Sequence, residues 1–132
     1  LIHKNRCIVL SDGFYEWKQN GSSKIPHFIC HKDNQILPMA GLCKWDVDGE
    51  GIKKLVFTII TKEARDSLKH IHLREPVILT KKAVKSWITV NEPQNKPLNL
   101  LQDNLDGMIS YPVDSYVNTS SNDGEKCISQ LN

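Results

Sequence analysis

No apolar run in the sequence approaches the ~18 residues of a membrane-spanning helix. The opening residues do not read as a secretory leader. Neither membrane insertion nor export is therefore expected. The sequence also has no CxxC pair: Cys7, Cys30, Cys43 and Cys127 lie far apart, so the closely spaced ligands of a structural zinc site are missing. Only His70 and His72 stand close together, and we expect no metal and no other cofactor. Three of the cysteines fall in apolar, strand-like runs, which reads as buried free thiols in a reducing compartment. Internal repeats and low-complexity tracts are absent, which leaves out solenoids and biased linkers. Neither charge sign is in large excess: 17 Lys and Arg against 15 Asp and Glu give a net charge of +2. Any attraction for a polyanion must then be local.

The charge that is present is unevenly placed. Between residues 62 and 85, Lys62, Arg65, Lys69, Arg74, Lys81, Lys82 and Lys85 outweigh Glu63, Asp66 and Glu75, whereas acidic residues prevail from residue 91 onward. A local basic surface suits a phosphate backbone, and it equally suits an ordinary solvated face. With 132 residues, 39% hydrophobic and 24% charged, the chain is expected to be one globular domain, 1–132. It opens on Leu1-Ile2-His3-Lys4 without an initiator Met, and we expect an N-terminal segment to be missing.

The densest stretch is Arg6 to Lys18. Cys7-Ile8-Val9-Leu10 reads as a buried strand and Phe14-Tyr15-Glu16-Trp17 as a second, joined through Asp12-Gly13 as an expected hairpin turn. Strand alternation puts Phe14 and Glu16 on one face and Tyr15 and Trp17 on the other. A carboxylate among aromatics suits proton transfer if it is buried, and is unremarkable if it lies on a solvated edge. Further on, Pro26–His31 and a bent Ile36–Trp45 read as strands. Lys54–Thr61, rich in β-branched residues, reads as a central strand. Thr61 is expected to cap a short helix to Leu68, and Thr80 to cap another through Trp87. Val77–Leu79 and Met108–Val113 read as strands, Asn91–Lys96 as a loop and Leu98–Leu105 as a further helix. The tail from Ser115 reads as polar loop. Trp17, Trp45 and Trp87 are expected to pack in the core or hairpin rather than stack on bases. Asn118 is expected to close a turn, and His70 to be solvated. The sum is an α+β fold with a mainly antiparallel, curved sheet and two or three short helices.

Separated pieces of the sequence resemble the SRAP (SOS-response-associated peptidase-like) family. Arg6-Cys7 followed by Asp12-Gly13-Phe14-Tyr15-Glu16-Trp17 is similar to its DGFYEW signature. Ile71-His72-Leu73-Arg74-Glu75-Pro76-Val77-Ile78-Leu79 is similar to its IHxRMPxIL segment, and Val113 to Asn118 to its terminal VSxxVN. Ala40-Gly41-Leu42 with Trp45, and Phe57 to Thr61, match its intervening strands. The resemblance implies a barrel-like sheet and a DNA-repair protein that binds abasic sites in single-stranded DNA. It implies a thiazolidine crosslink made by the amine and thiol of an N-terminal Cys, with autoproteolytic processing of the residues before it. Glu16 and His72 are then the catalytic pair and Arg74 the phosphate contact. A monomer with no membrane partner is expected, intracellular and, in a eukaryote, nuclear.

Two departures matter. The N-terminal Cys-Gly-Arg segment of the family is not in this chain, and Cys7, internal and in a strand, has no free α-amine to replace it. Glu75 stands where the family usually has Met; beside His72 and Arg74 it is expected to pair with Arg74 or favour a charged His72, and to repel phosphate. The alternatives are a non-covalent single-stranded DNA-binding module and an unrelated β-rich hydrolase that uses Glu16 and His72 on a small substrate.

Overall fold

The computed structural model of the chain describes residues 2, 4–89, 96–102 and 104–132. In chain order the elements are β1 (Arg6–Ser11), β2 (Phe14–Asn20), β3 (Ser23–His31), β4 (Leu37–Val47), β5 (Lys53–Ile59), β6 (Thr61–Glu63), β7 (Arg74–Pro76), α1 (Lys81–Ile88), α2 (Lys96–Leu100) and β8 (Met108–Pro112), with 3-10 turns at Ser115–Asn118 and Glu125–Cys127. The mainly antiparallel α+β architecture is as expected. Among the described residues the strands form two three-stranded sheets, β1-β4-β5 and β2-β3-β8, and a β6-β7 ribbon, without closing into a barrel. Most of the expected loop over residues 91–96 lies outside the described residues. None of the described helices is long and apolar enough to cross a membrane.

The chain divides into two compact units, each built from three segments. One unit holds Leu1–Ser11, Leu37–Lys62 and Pro76–Asp106. Its sheet is antiparallel throughout, with Cys7 opposite Gly41 and Leu42 opposite Thr58. Helix α1 begins as expected, with the Thr80 side chain accepting the Ala83 N–H. The helix buries Ala83 and Trp87 against Ala40, Val77 and Leu79. The Trp87 indole donates to the Cys7 carbonyl at 2.8 Å. Arg6 closes the other end of the helix: its guanidinium donates to the carbonyls of Trp87 and Thr89 and lies over the Trp87 ring. A cation there satisfies carbonyls that the helix leaves open. The Val77–Leu79 run, read as a strand, forms no continuous strand: Ile78 forms an isolated bridge to Met39, with the Val77 N–H donating to the Ile60 carbonyl and the Leu79 N–H to the Pro38 carbonyl.

Strand β5 is not central. Among the described strands it pairs only with β4, and Leu55 and Phe57 are exposed, as is Trp45 on β4. β-branched composition identifies a strand without fixing its place in a sheet. The two thiols of this sheet, Cys7 and Cys43, hydrogen-bond each other; burial first, and then that bond, push the Cys7 thiol above its ordinary value. All four cysteines are free, with Cys30 and Cys127 buried.

The second unit holds Asp12–Ile36, Glu63–Glu75 and Gly107–Asn132. Here the expected β1–β2 hairpin fails. Strand β2 pairs with β3, not β1, through the two-residue turn Gly21-Ser22, where Gly21 takes φ 61°. Asp12-Gly13 is instead where the chain leaves the first unit. Gly13 is required by close approach: a Cβ on it would lie 2.2 Å from the Phe28 ring and 2.9 Å from the Ile29 carbonyl. The alternation along β2 is as read. Phe14 packs against a cluster of Ile29, Ala64, Leu68 and Ile71, while Tyr15 packs with Phe28, Cys30 and Val113.

The helix expected after Thr61 is also not formed. Residues 61–63 are strand, and the Ala64 N–H goes to the Leu73 carbonyl. A local cap and favourable propensity lose to this long-range pairing, which satisfies backbone groups that a single helical turn would leave open.

Candidate active site and nucleic-acid interface

Two segments far apart in sequence build the site in the second unit. Strand β2 carries Glu16, on the face it shares with Phe14. The 64–75 segment folds as successive turns, with Leu68 and Lys69 N–H groups donating to the Arg65 carbonyl and Ile71 and His72 N–H groups to the Leu68 carbonyl. Leu68 and Ile71 are buried in the cluster that Phe14 joins. The apolar anchors at 68 and 71 thus bring the next residue, His72, to the face of β2 that bears Glu16.

Glu16 Oε2 lies 3.8 Å from His72 Nε2. That is an ion-pair distance when the imidazole is protonated, and longer than a hydrogen bond. The Arg74 backbone N–H donates to His72 Nδ1 at 3.1 Å. A ring nitrogen that accepts carries no proton, so the neutral ring bears its proton on Nε2, the atom facing Glu16. On protonation Nδ1 has a second partner waiting, the Arg74 carbonyl at 3.3 Å. The Glu16 side chain is 27% exposed and that of His72 47%, so the carboxylate is only partly sheltered rather than enclosed by aromatics.

The base of this segment is a buried ion pair. Arg65 Nε donates to Glu75 at 3.0 Å and 3.3 Å, and the Arg65 backbone N–H reaches the same carboxylate at 3.4 Å. Glu75 is 2% exposed. The expectation that Glu75 faces Arg74 or repels phosphate is therefore corrected: alternation along β7 turns Glu75 inward while Arg74 stays exposed.

His72 and Arg74 line a cleft of about 420 Å³ with Trp17, Lys24 and Lys69. Glu16 does not line it and meets it through His72. Lys69 is engaged by Glu63 at 3.2 Å and Asp66 at 3.3 Å, and these carboxylates raise its pKa. Lys24, Lys69 and Arg74 are the cations that the cleft presents, with the charge of Lys69 shared by Glu63 and Asp66. Trp17 is 36% exposed, and its indole N–H donates to Asn118 Oδ1 at 2.7 Å. Of the three tryptophans only Trp87 is core; Trp45 is 67% exposed. Asn118, read as closing a turn, ends a 3-10 turn and also fixes the Trp17 ring.

Sequence reasoning missed Lys24, which the β2–β3 register sets opposite Gln19, and His27, which sits opposite Glu16. The His27 Nδ1 proton goes to the Ile25 carbonyl at 3.0 Å. Only cross-strand register identifies either one. Among the described residues no group of three or more His, Cys, Asp or Glu is gathered as metal ligands would be.

These features define a strand-rich α+β protein with a Glu–His pair at the margin of a cleft bearing cations and an aromatic ring. The family model described as SOS response associated peptidase (SRAP) matches residues 1–120, and the chain belongs to that family. It is 32% identical to the abasic site processing protein HMCES of Gallus gallus, over 97% of this chain and 44% of the relative. It is 38% identical to the abasic site processing protein YoqW of Bacillus subtilis (strain 168), over 93% of this chain and 56% of that protein. The chain thus spans about half the length of these curated relatives. A crystal structure of a protein from Bacteroides thetaiotaomicron superposes with a TM-score of 0.86 at 31% identity, covering 98% of this chain and 59% of the other.

Proposed function

We propose that this chain is the part of an abasic-site processing protein that grips single-stranded DNA at the lesion and supplies acid–base groups to it. The observation that carries the reading is the Glu16–His72 pair, 3.8 Å apart, with His72 lining the same cleft as Lys24, Arg74 and Trp17. The two cations suit phosphates flanking a lesion, and an exposed indole suits a neighbouring base.

In this reading the nucleophile is the N-terminal Cys of the full-length protein. Its amine adds to the ring-opened sugar aldehyde, and the carbinolamine loses water to give an imine. The thiol then adds across the C=N bond, forming C–S and passing its proton to nitrogen. Each step moves protons without oxidation or reduction. As the imidazolium, with Nδ1–H held at the Arg74 carbonyl, His72 donates its Nε2 proton to the departing hydroxyl and is left neutral, and Glu16 stabilises the imidazolium while it exists. Cys7 does not fit the nucleophile's role. It lies within β1 opposite Gly41, and its thiol is pushed above the ordinary value, which lowers its thiolate fraction. The protein acts as a monomer inside the cell, in the nucleus of a eukaryote, and the same Cys carries autoproteolytic processing.

The test is to incubate the full-length protein with single-stranded DNA bearing one abasic site and run a denaturing gel. A shifted band that survives denaturation is expected. No such band from a protein whose mature N-terminus is verified as Cys would overturn crosslinking, and retained native-gel binding would then assign the chain to non-covalent recognition.

A further inference from the structure

Trp17 is shared by two clefts. Beyond the cation-lined one, the same indole joins Tyr15, Thr119, Ser120, Asn122 and Asp123 around a second cleft of about 290 Å³. The two differ in chemistry. The first presents Lys24, Lys69 and Arg74. No Lys or Arg lines the second, which instead carries a carboxylate, a carboxamide, the hydroxyls of Thr119 and Ser120 and the Tyr15 phenol. A phosphate finds no cation there and one opposing charge. A neutral, flat, hydrogen-bonding group finds an aromatic wall and polar partners, in a volume near the lower end of small-ligand sites.

The wall is set in place before any ligand arrives. Asn118 Oδ1 holds the Trp17 indole N–H at 2.7 Å, and the Tyr15 ring stands 6.3 Å from that of Trp17, tilted by 44°. The polar side is ordered too. The Asn122 amide donates one N–H to the Tyr116 carbonyl at 2.8 Å, which fixes its orientation and leaves Oδ1 as an acceptor beside one further N–H. Asp123 Oδ1 takes the Gly124 N–H at 2.7 Å, and a carboxylate can only accept further bonds.

Building on the function proposed above, we propose that this second cleft binds the base of a nucleotide adjacent to the lesion. The base lies against Trp17 and is selected for donors on its edge. Acceptors at Asn122 and, above all, Asp123 fit the exocyclic amines of adenine, cytosine and guanine, and disfavour thymine, whose one edge donor, N3–H, is flanked by the acceptors O2 and O4. The chain thus reads sequence context beside the abasic site, while the first cleft holds phosphate without regard to sequence.

The experiment uses full-length protein and single-stranded oligonucleotides carrying a tetrahydrofuran abasic analogue, which cannot crosslink. The neighbouring nucleotide on each side is varied in turn through the four bases, and affinity is read by fluorescence anisotropy. On one side, thymine is expected to bind about five- to tenfold more weakly than the amine-bearing bases. Asp123→Asn, at an exposed position, replaces one acceptor by a donor and is expected to shrink that ratio toward one without changing the salt dependence. Asn122→Ala is expected to do the same, but it also removes the bond to Tyr116, so Asp123→Asn decides. Equal affinity for all four bases on both sides overturns the base-reading cleft and leaves lesion binding standing, as does a thymine penalty that Asp123→Asn leaves intact. Failure to bind any of the oligonucleotides overturns the cleft and the proposed function together.

Discussion

Glu16 Oε2 faces His72 Nε2 across 3.8 Å, and the opposite ring nitrogen of His72 is held by the backbone of Arg74. The Glu16 carboxylate is thus aimed at the one imidazole nitrogen that can exchange a proton with a substrate. If the pair acts as a unit, His72→Ala and Glu16→Gln each slow reaction at an abasic site, by roughly 100-fold or more for the histidine. The second substitution then adds little to the first. Single-turnover crosslinking rates of both single variants and the double variant check this, with thermal melts confirming that the fold is retained. Fully multiplicative losses would mean that the two side chains act separately.

Arg74 is exposed on β7 and lines the cation-bearing cleft. Its substitution by Ala is expected to weaken binding of single-stranded DNA uniformly across sequences. The slope of log affinity against log salt should become shallower by roughly 0.7, the change expected when one phosphate fewer is neutralised on a single strand. An unchanged slope would remove Arg74 from the phosphate-binding set. Lys24→Ala is expected to behave alike, whereas Lys69→Ala should do less, since Glu63 and Asp66 already occupy that charge.

The sequence was most readable where the determining interactions are local. The Thr80 cap and the α1 apolar face depend on residues within one or two turns, and the alternation of Phe14, Tyr15, Glu16 and Trp17 depends only on the strand period. The motifs at 12–17 and 71–79 were readable by resemblance, and so the Glu16–His72 pair could be expected before any geometry. What failed were decisions made by distant partners. Asp12-Gly13 has hairpin composition, yet Gly13 is there because Phe28 lies against it. Lys54–Thr61 has the composition of a central strand but is an edge. Thr61 looks like a helix cap but enters a strand. Glu75 was placed near Arg74 by sequence adjacency, although neighbours in a strand point to opposite faces.

The Arg65–Glu75 pair underlies the segment that presents His72. Their side chains are 14% and 1% exposed, so removing one partner leaves a buried charge. Arg65→Met is expected to cost about 3–5 kcal/mol of stability, while Arg65→Met with Glu75→Met recovers most of it or exceeds wild type. Denaturant midpoints of the two single variants and the double variant decide between outcomes. A small loss in Arg65→Met would show that water or another donor satisfies Glu75, and the segment would then owe its position to Leu68 and Ile71 alone.

The C-terminal 3-10 turn is fastened by two phenols. Tyr15 donates to the Cys127 carbonyl at 2.9 Å and Tyr111 to the adjacent Ile128 carbonyl at 2.7 Å. Burial, the largest cause, pushes both phenols above their ordinary value near 10. A raised folded-state value means that the folded chain holds these protons more tightly than the unfolded chain. The stabilisation is therefore complete below about pH 10 and is lost as pH rises from there toward the folded-state values. Lys69, raised by Glu63 and Asp66, loses its contribution in the same direction, so the decline by itself does not identify the phenols. The discriminating comparison is the double variant Tyr15→Phe, Tyr111→Phe. It should be less stable than wild type at pH 8 because two hydrogen bonds are gone, yet fall less steeply between pH 9 and 11 because two titrating groups are gone. Denaturant midpoints across that range, with hydrogen exchange at Cys127 and Ile128, read both effects. Parallel decline of the two proteins would show that the phenols do not control the alkaline stability of this turn.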